Sequence, residues 1–309
     1  MTGYAPIAYF AFNRPHHATR TLTALAANRR ASDTDLHIFV DGPRHESERA
    51  LVDEVLEVAR AATGFRSVSV EARDRNYGLF ASITEGVSNL VSAAGRVIVV
   101  EDDILVSPYF LDYMNDALDR YQDDSRVGSI HAYSPPINGL PDYFFLRGAD
   151  CWGWATWKDR WALFDADASS LLHALVSNRL LSSFCAAHGS QSLLYLARRV
   201  RGRNASWAIL WHASLFLAGR LTLHPGASFV QNIGNDGSGV HAAASPVYHT
   251  DLLANYTGLP VLSIEESPVA AEALSTFLDA GGSGGFTSPV RVLKRVYAKL
   301  AARFPLLLP

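Results

Sequence analysis

The chain has 309 residues, 49% hydrophobic and 18% charged, so it is long and apolar enough to bury a substantial core. Its formal net charge of −3 argues against the basic surface typical of nucleic-acid-binding proteins, so we expect no nucleic-acid partner. The cysteines, Cys151 and Cys185, form neither a CxxC motif nor a disulfide framework, which is consistent with a reducing compartment.

The first third of the chain alternates between short apolar runs and segments of helical periodicity. The predicted strands are PIAYFAF, DLHIFVDG, SVSVEARD and RVIVV. Gly95 suits the end of the helix that precedes the fourth strand. The start of the chain lacks a basic region, and no apolar run reaches transmembrane length. This alternation predicts a mostly parallel α/β sheet with helices on both faces.

Three consecutive carboxylates, Glu101, Asp102 and Asp103, follow the fourth predicted strand. Like charges this close repel one another, and a cation relieves the repulsion. Oxygen ligands suit Mg²⁺ or Mn²⁺, which commonly bridges substrate phosphates. A solvated turn is the alternative, but the predicted helix start at Ser107-Pro108 comes too late for the acids to cap it. We therefore predict a site that holds a diphosphate through a divalent metal.

The second half of the chain is richer in aromatic residues. SRVGSIHAYSPP is another predicted strand, and LLHALVSNRLLSSFCAAHG has helical periodicity. Between them, DYFFLRGADCWGWATWKDRWALF contains a dense group of tryptophans. Tryptophan faces suit stacking against a sugar or an acceptor, but the same residues can form a clamp beneath a loop. Both interpretations remain open from the sequence.

The end of the chain has a separate character. GGSGG at 281–285 predicts a linker, and 286–309 predicts a basic amphipathic helix. Five basic residues lie largely opposite an apolar stripe in that helix: Arg291, Lys294, Arg295, Lys299 and Arg303. We expect this tail to lie on a membrane surface, with packing against the protein's own core as the alternative.

Five motifs follow one another in an order that resembles a known family. They are FNRPHHATRTLTAL, FVDG, VIVVEDDILVSPYFLDYMNDAL, CWGWATWKDRW, and SWAILWHASLFL with QNIGNDGSGVH. Over about residues 5–245 the chain resembles GT-A glycosyltransferases, in particular bacterial sugar transferases related to N-acetylglucosaminyltransferase I. The resemblance implies a GT-A (Rossmann-like) fold with a nucleotide-sugar-binding half at 1–130 and an acceptor-binding, catalytic half at 131–280. Residues 281–309 would form the linker and tail.

The resemblance also implies roles for individual residues. Asp103 would ligate the Mn²⁺ or Mg²⁺ that binds the donor diphosphate, and His241 would close over that metal or diphosphate. A lone surface histidine is the alternative for His241. The nucleotide sugar would contact Asn13, Arg14, Asp41, Asn76, Glu101 and Asp102. The sugar and acceptor pocket would include Trp152, Gly153, Trp154 and Trp207.

One position departs from the family pattern. The relatives are expected to invert the anomeric carbon, which needs a carboxylate as general base. They usually have Asp just before Ser206-Trp207, where this chain has Ala205. The chain is then an engineered inactive variant, a naturally weakened enzyme, or an enzyme whose base lies elsewhere. Asp150 and Asp236 are the nearest substitutes, and Asp150 is favoured because it adjoins the tryptophans.

The sequence therefore predicts a metal-dependent inverting glycosyltransferase. Its donor would be a nucleotide sugar, with UDP favoured over GDP, and its acceptor a saccharide or glycolipid in bacterial surface polysaccharide synthesis. We expect a cytoplasmic protein associated peripherally with the inner face of the membrane. The alternatives are a non-catalytic sugar-nucleotide or glycan-binding protein and a sugar nucleotidyltransferase. FNRPHH lacks the glycine-rich phosphate loop expected of the latter.

Overall fold

A computed structural model describes residues 3–237 and 246–281. The predicted metal residue His241, the predicted linker at 281–285 apart from Gly281, and the predicted tail at 286–309 lie outside these residues. The strands are β1 (Ile7–Ala11), β2 (Asp35–Val40), β3 (Ser67–Ala72), β4 (Arg96–Glu101), β5 (Ile104–Val106), β6 (Val127–His131), β7 (Tyr143–Arg147), β8 (Trp154–Trp157), β9 (Leu221–Pro225) and β10 (Val230–Asn232).

In the first part of the chain, up to β4, the helices alternate with the strands, as the apolar periodicity predicts, whereas five helices follow one another between β8 and β9. They are α1 (Pro15–Ala26), α2 (Arg49–Arg60), α3 (Leu79–Ala94), α4 (Phe110–Arg120), α5 (Lys158–Trp161), α6 (Ala168–Ser177), α7 (Leu181–His188), α8 (Ser190–Val200), α9 (Ala208–Leu217) and α10 (Pro268–Gly281). Gly95 ends α3 with a φ of 79°, which a residue without a side chain adopts without strain. Within the described residues, no helix is long and apolar enough to cross a bilayer.

Eight of the described strands form one sheet in the order β3-β2-β1-β4-β8-β6-β9-β7. The strands β3, β2, β1 and β4 are parallel to one another, with Ile7 of β1 paired to both Leu36 and Ile98. Core residues of α1, α2 and α4 cover one face, and core residues of α3 and α9 cover the other. The predicted α/β sheet with helices on both faces is confirmed, and its parallel strands all end at one edge, called the carboxyl edge below.

The aromatic second half extends this sheet with mixed directions. β8 lies antiparallel between β4 and β6, with Trp154 opposite both Val99 and His131. β9 then pairs parallel to β6, and β7 pairs antiparallel to β9. The start of β8 and the ends of β4, β6 and β9 therefore meet at the carboxyl edge, beside the ends of β1, β2 and β3.

The predicted start of α4 at Ser107-Pro108 is wrong. After the three acids the chain first forms β5, which pairs antiparallel with β10. The Ser107 N–H donates to the Phe229 carbonyl at 2.8 Å, and its own carbonyl accepts the Phe110 N–H at 3.1 Å. Ser107 therefore continues the hydrogen bonding of the β5–β10 ribbon by one residue, and α4 begins only at Phe110.

Candidate functional site

The three acids surround the end of β4 at the carboxyl edge, and a cation from β1 meets them. Arg14 follows β1 and precedes α1, so the parallel pairing of β1 with β4 brings it beside the acids. Its Nη2 donates to Asp102 Oδ1, and to Asp103 Oδ2 at 3.0 Å. The Asp102 carbonyl accepts a hydrogen bond from Thr21 of α1 at 2.8 Å. The loops that follow β1 and β4 thus form one charged cluster. Its carboxylates, Glu101, Asp102 and Asp103, are called the acid cluster below.

The carboxylates of this cluster exceed the positive charge beside them. Burial raises the pKa of Glu101 to about 8, and Asp103 and Asp102 add to the increase. Burial raises the pKa of Asp102 to about 6, although Arg14 opposes the change. The pKa of Arg14 is itself raised, because Asp102 and Asp103 outweigh the effect of its burial. A further cation would relieve the repulsion between the acids.

The ribbon β5–β10 brings a distant segment against the acids. The Ile233 N–H donates to the Asp103 carbonyl at 2.8 Å. A Cβ atom at Gly234 would clash with the Asp103 carboxylate and would lie 2.9 Å from Arg14 Nη1. His17 of α1 holds the same segment, with Nε2 3.2 Å from Asp236 Oδ2 and 3.3 Å from the Ile233 carbonyl oxygen. Asp236, a candidate base, therefore lies on the α1 side of the acids.

Asp41 lies at the carboxyl edge after β2 and is buried. Its Oδ1 accepts the N–H groups of Gly42 at 3.0 Å and Tyr77 at 2.8 Å, and its Oδ2 accepts that of Gly78 at 2.8 Å. The Asn76 amide donates to the Gly42 carbonyl at 2.9 Å. These bonds join the loops after β2 and β3, so the two predicted nucleotide-binding residues act here as loop supports.

Asn13, another predicted nucleotide-binding residue, lies between β1 and Arg14. Its amide donates to Glu48 at 3.2 Å, and Arg44 pairs with the same carboxylate. The Arg44 guanidinium also lies 5.0 Å from the ring centre of Phe12. Asn13 is therefore held next to Arg14 by the loop that follows β2.

The second half contributes the segment before β8. The Cys151 N–H donates to Asp150 Oδ1 at 2.8 Å. Burial raises the pKa of the Cys151 thiol, and Asp150, Glu101 and Asp103 raise it further. β8 begins beside the end of β4, with Trp154 opposite Val99, so the segment that contains Asp150 lies at the same edge as Glu101, Asp102 and Asp103.

Trp152 and Gly153 complete this segment. Trp152 is partly exposed, and its ring contacts Tyr133 at 4.7 Å and Tyr248 at 5.6 Å in edge-to-face geometry. Gly153 has a φ of 66°, and a Cβ there would approach Val230 at 2.9 Å. The tight backbone at Gly153 brings the start of β8 against β10 and leaves Trp152 with a face toward solvent.

Trp154 and Trp207, which the sequence predicted at the sugar pocket, lie in the core. Their exposed fractions are 0% and 2%, and their ring centres are 5.3 Å apart. The rings of Trp161 and Trp211 also pack against Trp154. Large aromatic side chains buried to this extent belong to the hydrophobic core, so the prediction that Trp154 and Trp207 line a sugar pocket is wrong.

Ala205 lies just before α9 and is exposed. Trp207, two positions later, packs on Trp154 at the start of β8, so Ala205 lies toward the carboxyl edge. Asn204 next to it donates to the Tyr195 carbonyl at 2.9 Å and accepts the Ser206 N–H at 3.3 Å. The position is open to solvent and carries no group that accepts a proton.

The carboxylate oxygens at the acid cluster suit a metal ion whose remaining ligands come from a substrate and from water. Among the residues that the structure describes, no three His, Cys, Asp or Glu side chains are grouped around one point, so a cage built only from protein is not found there. Mg²⁺ and Mn²⁺ are commonly bound by one or two carboxylates together with substrate phosphates and water. Asp103, whose side chain is 17% exposed, can supply such a ligand.

No family model matches the chain, and no curated protein matches it. Among solved structures, the chain is similar to the mannosyltransferase PcManGT from Pyrobaculum calidifontis in complex with GDP-Man and Mn²⁺. The two sequences are 12% identical, the match covers 98% of this chain and 82% of that chain, and the TM-score is 0.36. The match to the galactosyltransferase LgtC, solved with donor and acceptor sugar analogs, has 11% identity, covers 70% of this chain and 72% of that chain, and has a TM-score of 0.37. The match to S. aureus TarS has 11% identity, covers 75% of this chain and 37% of that chain, and has a TM-score of 0.39. These values are too low to assign an activity to this chain.

Sequence reasoning missed several residues of the site. Gly234 lies against Asp103, and His17 holds the segment that contains Gly234, only because distant segments meet at the carboxyl edge. The pKa of Cys151 is raised by Glu101 and Asp103 for the same reason. His131 carried a weak signal, since it lies within the predicted strand SRVGSIHAYSPP, and only the structure shows that β6 ends at this residue, at the ligand-binding edge. Gly234 carried a weaker one, within the recurring segment QNIGNDGSGVH.

Proposed function

We propose that the protein is a metal-dependent, inverting glycosyltransferase with a GT-A fold. It moves a sugar from a nucleotide sugar, with UDP favoured, to a saccharide or glycolipid acceptor in surface polysaccharide synthesis. The observation that carries the proposal is the acid cluster at the end of β4, paired with Arg14 and covered by the segment at Gly234. The carboxyl edge of a parallel α/β sheet is where such folds bind ligands.

We assign to Arg14 and Asp103 the binding of the donor diphosphate, Arg14 directly and Asp103 through the metal ion. A guanidinium has five N–H donors, and Arg14 bonds both carboxylates through Nη2 alone, so donors remain for a phosphate oxygen. Mn²⁺ or Mg²⁺ bound at Asp103 would stabilise the negative charge on the departing diphosphate. Glu101 and Asp102 would face the sugar and ribose, behind that ligand.

The acceptor is assigned to the segment from Asp150 to Gly153. Asp150 takes the proton of the acceptor hydroxyl, whose oxygen forms a new bond to the anomeric carbon from the face opposite the diphosphate. The bond between that carbon and the diphosphate oxygen breaks, and the nucleoside diphosphate leaves with the electron pair. Trp152 offers a partly exposed ring beside Asp150 on which a sugar can stack.

A second candidate function is a protein that binds nucleotide sugars without turning them over. The exposed Ala205 favours it, because the resemblance implies a carboxylate at that position. The two functions share the donor site and differ in whether a base reaches the acceptor. Turnover therefore separates them, and binding alone does not.

The test is release of nucleoside diphosphate from a panel of UDP- and GDP-sugars with Mn²⁺, with and without saccharide acceptors. We expect turnover by the parent, loss of about 10²-fold or more in Asp150→Asn, and parental turnover in the control Asp123→Asn, an exposed carboxylate beyond α4. Ala205→Asp should raise transfer by about 10²-fold if position 205 is a base position. Binding of nucleoside diphosphate without turnover by either the parent or Ala205→Asp would support the second candidate.

A further inference from the structure

Two histidines lie buried in the sheet directly behind Asp150. His131 ends β6 and His224 lies in the neighbouring β9, with exposed fractions of 1% and 4%. Their Nδ1 atoms are 3.2 Å apart. The other ring nitrogen of His131, Nε2, lies 3.8 Å from Asp150 Oδ1. A carboxylate and two imidazoles thus form one series that leads from the carboxyl edge into the sheet.

The contacts among these three side chains indicate which ring nitrogen of each histidine carries a proton. A carboxylate only accepts hydrogen bonds, so the His131 Nε2 that faces it is favoured with a proton. A neutral His131 then has an unprotonated Nδ1, and the short contact to His224 needs the proton on His224 Nδ1. Burial favours the neutral form of each ring. The expected arrangement is His224 Nδ1–H to His131 Nδ1, and His131 Nε2–H toward Asp150.

The surrounding contacts hold both rings in place. Phe144 stacks on His224 with ring centres 5.5 Å apart and an angle of 5° between planes. β6 and β9 are paired in parallel next to the two histidines, with Ile130 opposite Leu223. The 3.8 Å from His131 to Asp150 exceeds a hydrogen-bond length, as is common for catalytic pairs before the substrate binds.

The geometry assigns His131 as a positioning residue that directs Asp150 toward the acceptor hydroxyl, with His224 setting the tautomer of His131. This assignment rests on the proposed function of Asp150 as the general base. Cys151 N–H and His131 Nε2 both face Oδ1 of Asp150, and we assign proton transfer to Oδ2. His131 itself neither contacts the acceptor nor takes its proton.

The first test reads the tautomers directly and needs no substrate. Long-range proton–nitrogen NMR of the ¹⁵N-labelled full chain, assigned with His131→Gln and His224→Gln, should show a proton on Nε2 of His131 and on Nδ1 of His224. The second of these is the rarer tautomer of histidine, so it is diagnostic. An unprotonated Nε2 on His131 would overturn the assignment.

The second test reads turnover of the same UDP- and GDP-sugar panel. His131→Leu should lower turnover by about 10²-fold, the typical cost of a misplaced reacting group, with nucleoside diphosphate binding unchanged. His131→Gln, whose amide N–H can replace Nε2–H, should recover most of the loss. His173→Leu, an exposed histidine of α6, is the control and should match the parent.

The outcomes separate this assignment from the proposed function. Parental turnover in a folded His131→Leu, together with loss in Asp150→Asn, overturns the positioning role alone. Parental turnover in Asp150→Asn overturns the base and, with it, the role of His131. If His131→Leu does not fold, the tautomers measured in the unmutated chain decide the assignment.

Discussion

The carboxylate of Asp41 shows how a single buried side chain can hold two loops at the carboxyl edge. It accepts three backbone N–H groups, from Gly42, Tyr77 and Gly78, at 2.8 to 3.0 Å. Hydrogen bonds to a charged acceptor are stronger than neutral ones, and backbone donors left without a partner in the interior are costly. Asp41 therefore stabilises the fold as well as the proposed nucleotide site.

We predict that Asp41→Ala lowers the free energy of unfolding by about 3 kcal/mol, because three N–H donors lose their acceptor. Urea denaturation measures the change. Asp33→Ala removes an exposed carboxylate and should stay within about 0.5 kcal/mol of the parent. Equal stability of the Asp41 and Asp33 variants would show that the loops hold without this carboxylate.

For residues that directly follow a strand, the sequence predicted correctly that they lie together at the site. It was less successful for residues that distant segments of the chain bring there. Arg14 and the three acids follow parallel strands, and the structure brings Arg14 into contact with Asp102 and Asp103. Strand order explains this success, because parallel strands end at the same edge. The burial of Trp154 and Trp207 was not predicted, since tryptophan suits a core and a sugar surface equally well.

The ribbon β5–β10 is the element that covers the acid cluster. Its three registered pairs, from Val230↔Val106 to Asn232↔Ile104, bring Gly234 against Asp103. Nothing in the local pattern of either short strand indicated the pairing. The pairing of β5 with β10 joins residues more than a hundred positions apart, so it depends on the tertiary fold. The periodicity of a single sequence does not reveal such contacts.

We predict that Gly234→Ala weakens Mn²⁺-dependent binding of UDP by at least about tenfold. The added Cβ would collide with the Asp103 carboxylate and approach Arg14, so the cluster must shift. Titration calorimetry measures the affinity. In the control Gly3→Ala, the new Cβ would lie 3.5 Å from Arg66, an ordinary contact, and binding should match the parent. Unchanged affinity in Gly234→Ala would mean that this backbone position does not constrain the donor site.

The elements of the first half were predicted more fully than those of the second. Strong alternation of apolar and amphipathic segments marked β1 to β4 and the helices between them. β8 was missed because its four residues, Trp154–Trp157, lie within a tryptophan-rich run. All four are buried, so the run shows no two-residue alternation of apolar and polar positions. Its antiparallel insertion between β4 and β6 follows from long-range pairing.

At the scale of the whole molecule, the basic segment 286–309 lies outside the described residues, and its role rests on sequence. We predict that deleting it reduces cosedimentation with anionic vesicles without weakening UDP binding. Attraction to an anionic surface contributes about 1 kcal/mol per basic residue, and five are present. High salt should weaken the full chain's binding, and neutral vesicles are the control. Cosedimentation that is unchanged by the deletion would contradict the prediction.

The proposed function depends above all on one claim, that the acids after β4 hold a nucleoside diphosphate through a divalent cation. Calorimetric titration of UDP and GDP into the full chain, with Mn²⁺ and with EDTA, measures this for the parent, Asp103→Ala and the exposed control Asp123→Ala. We predict metal-dependent binding in the parent and in Asp123→Ala. Asp103→Ala should keep its thermal stability and lose the metal-dependent part of the affinity. Equal affinity and equal metal dependence in parent and Asp103→Ala would contradict the claim.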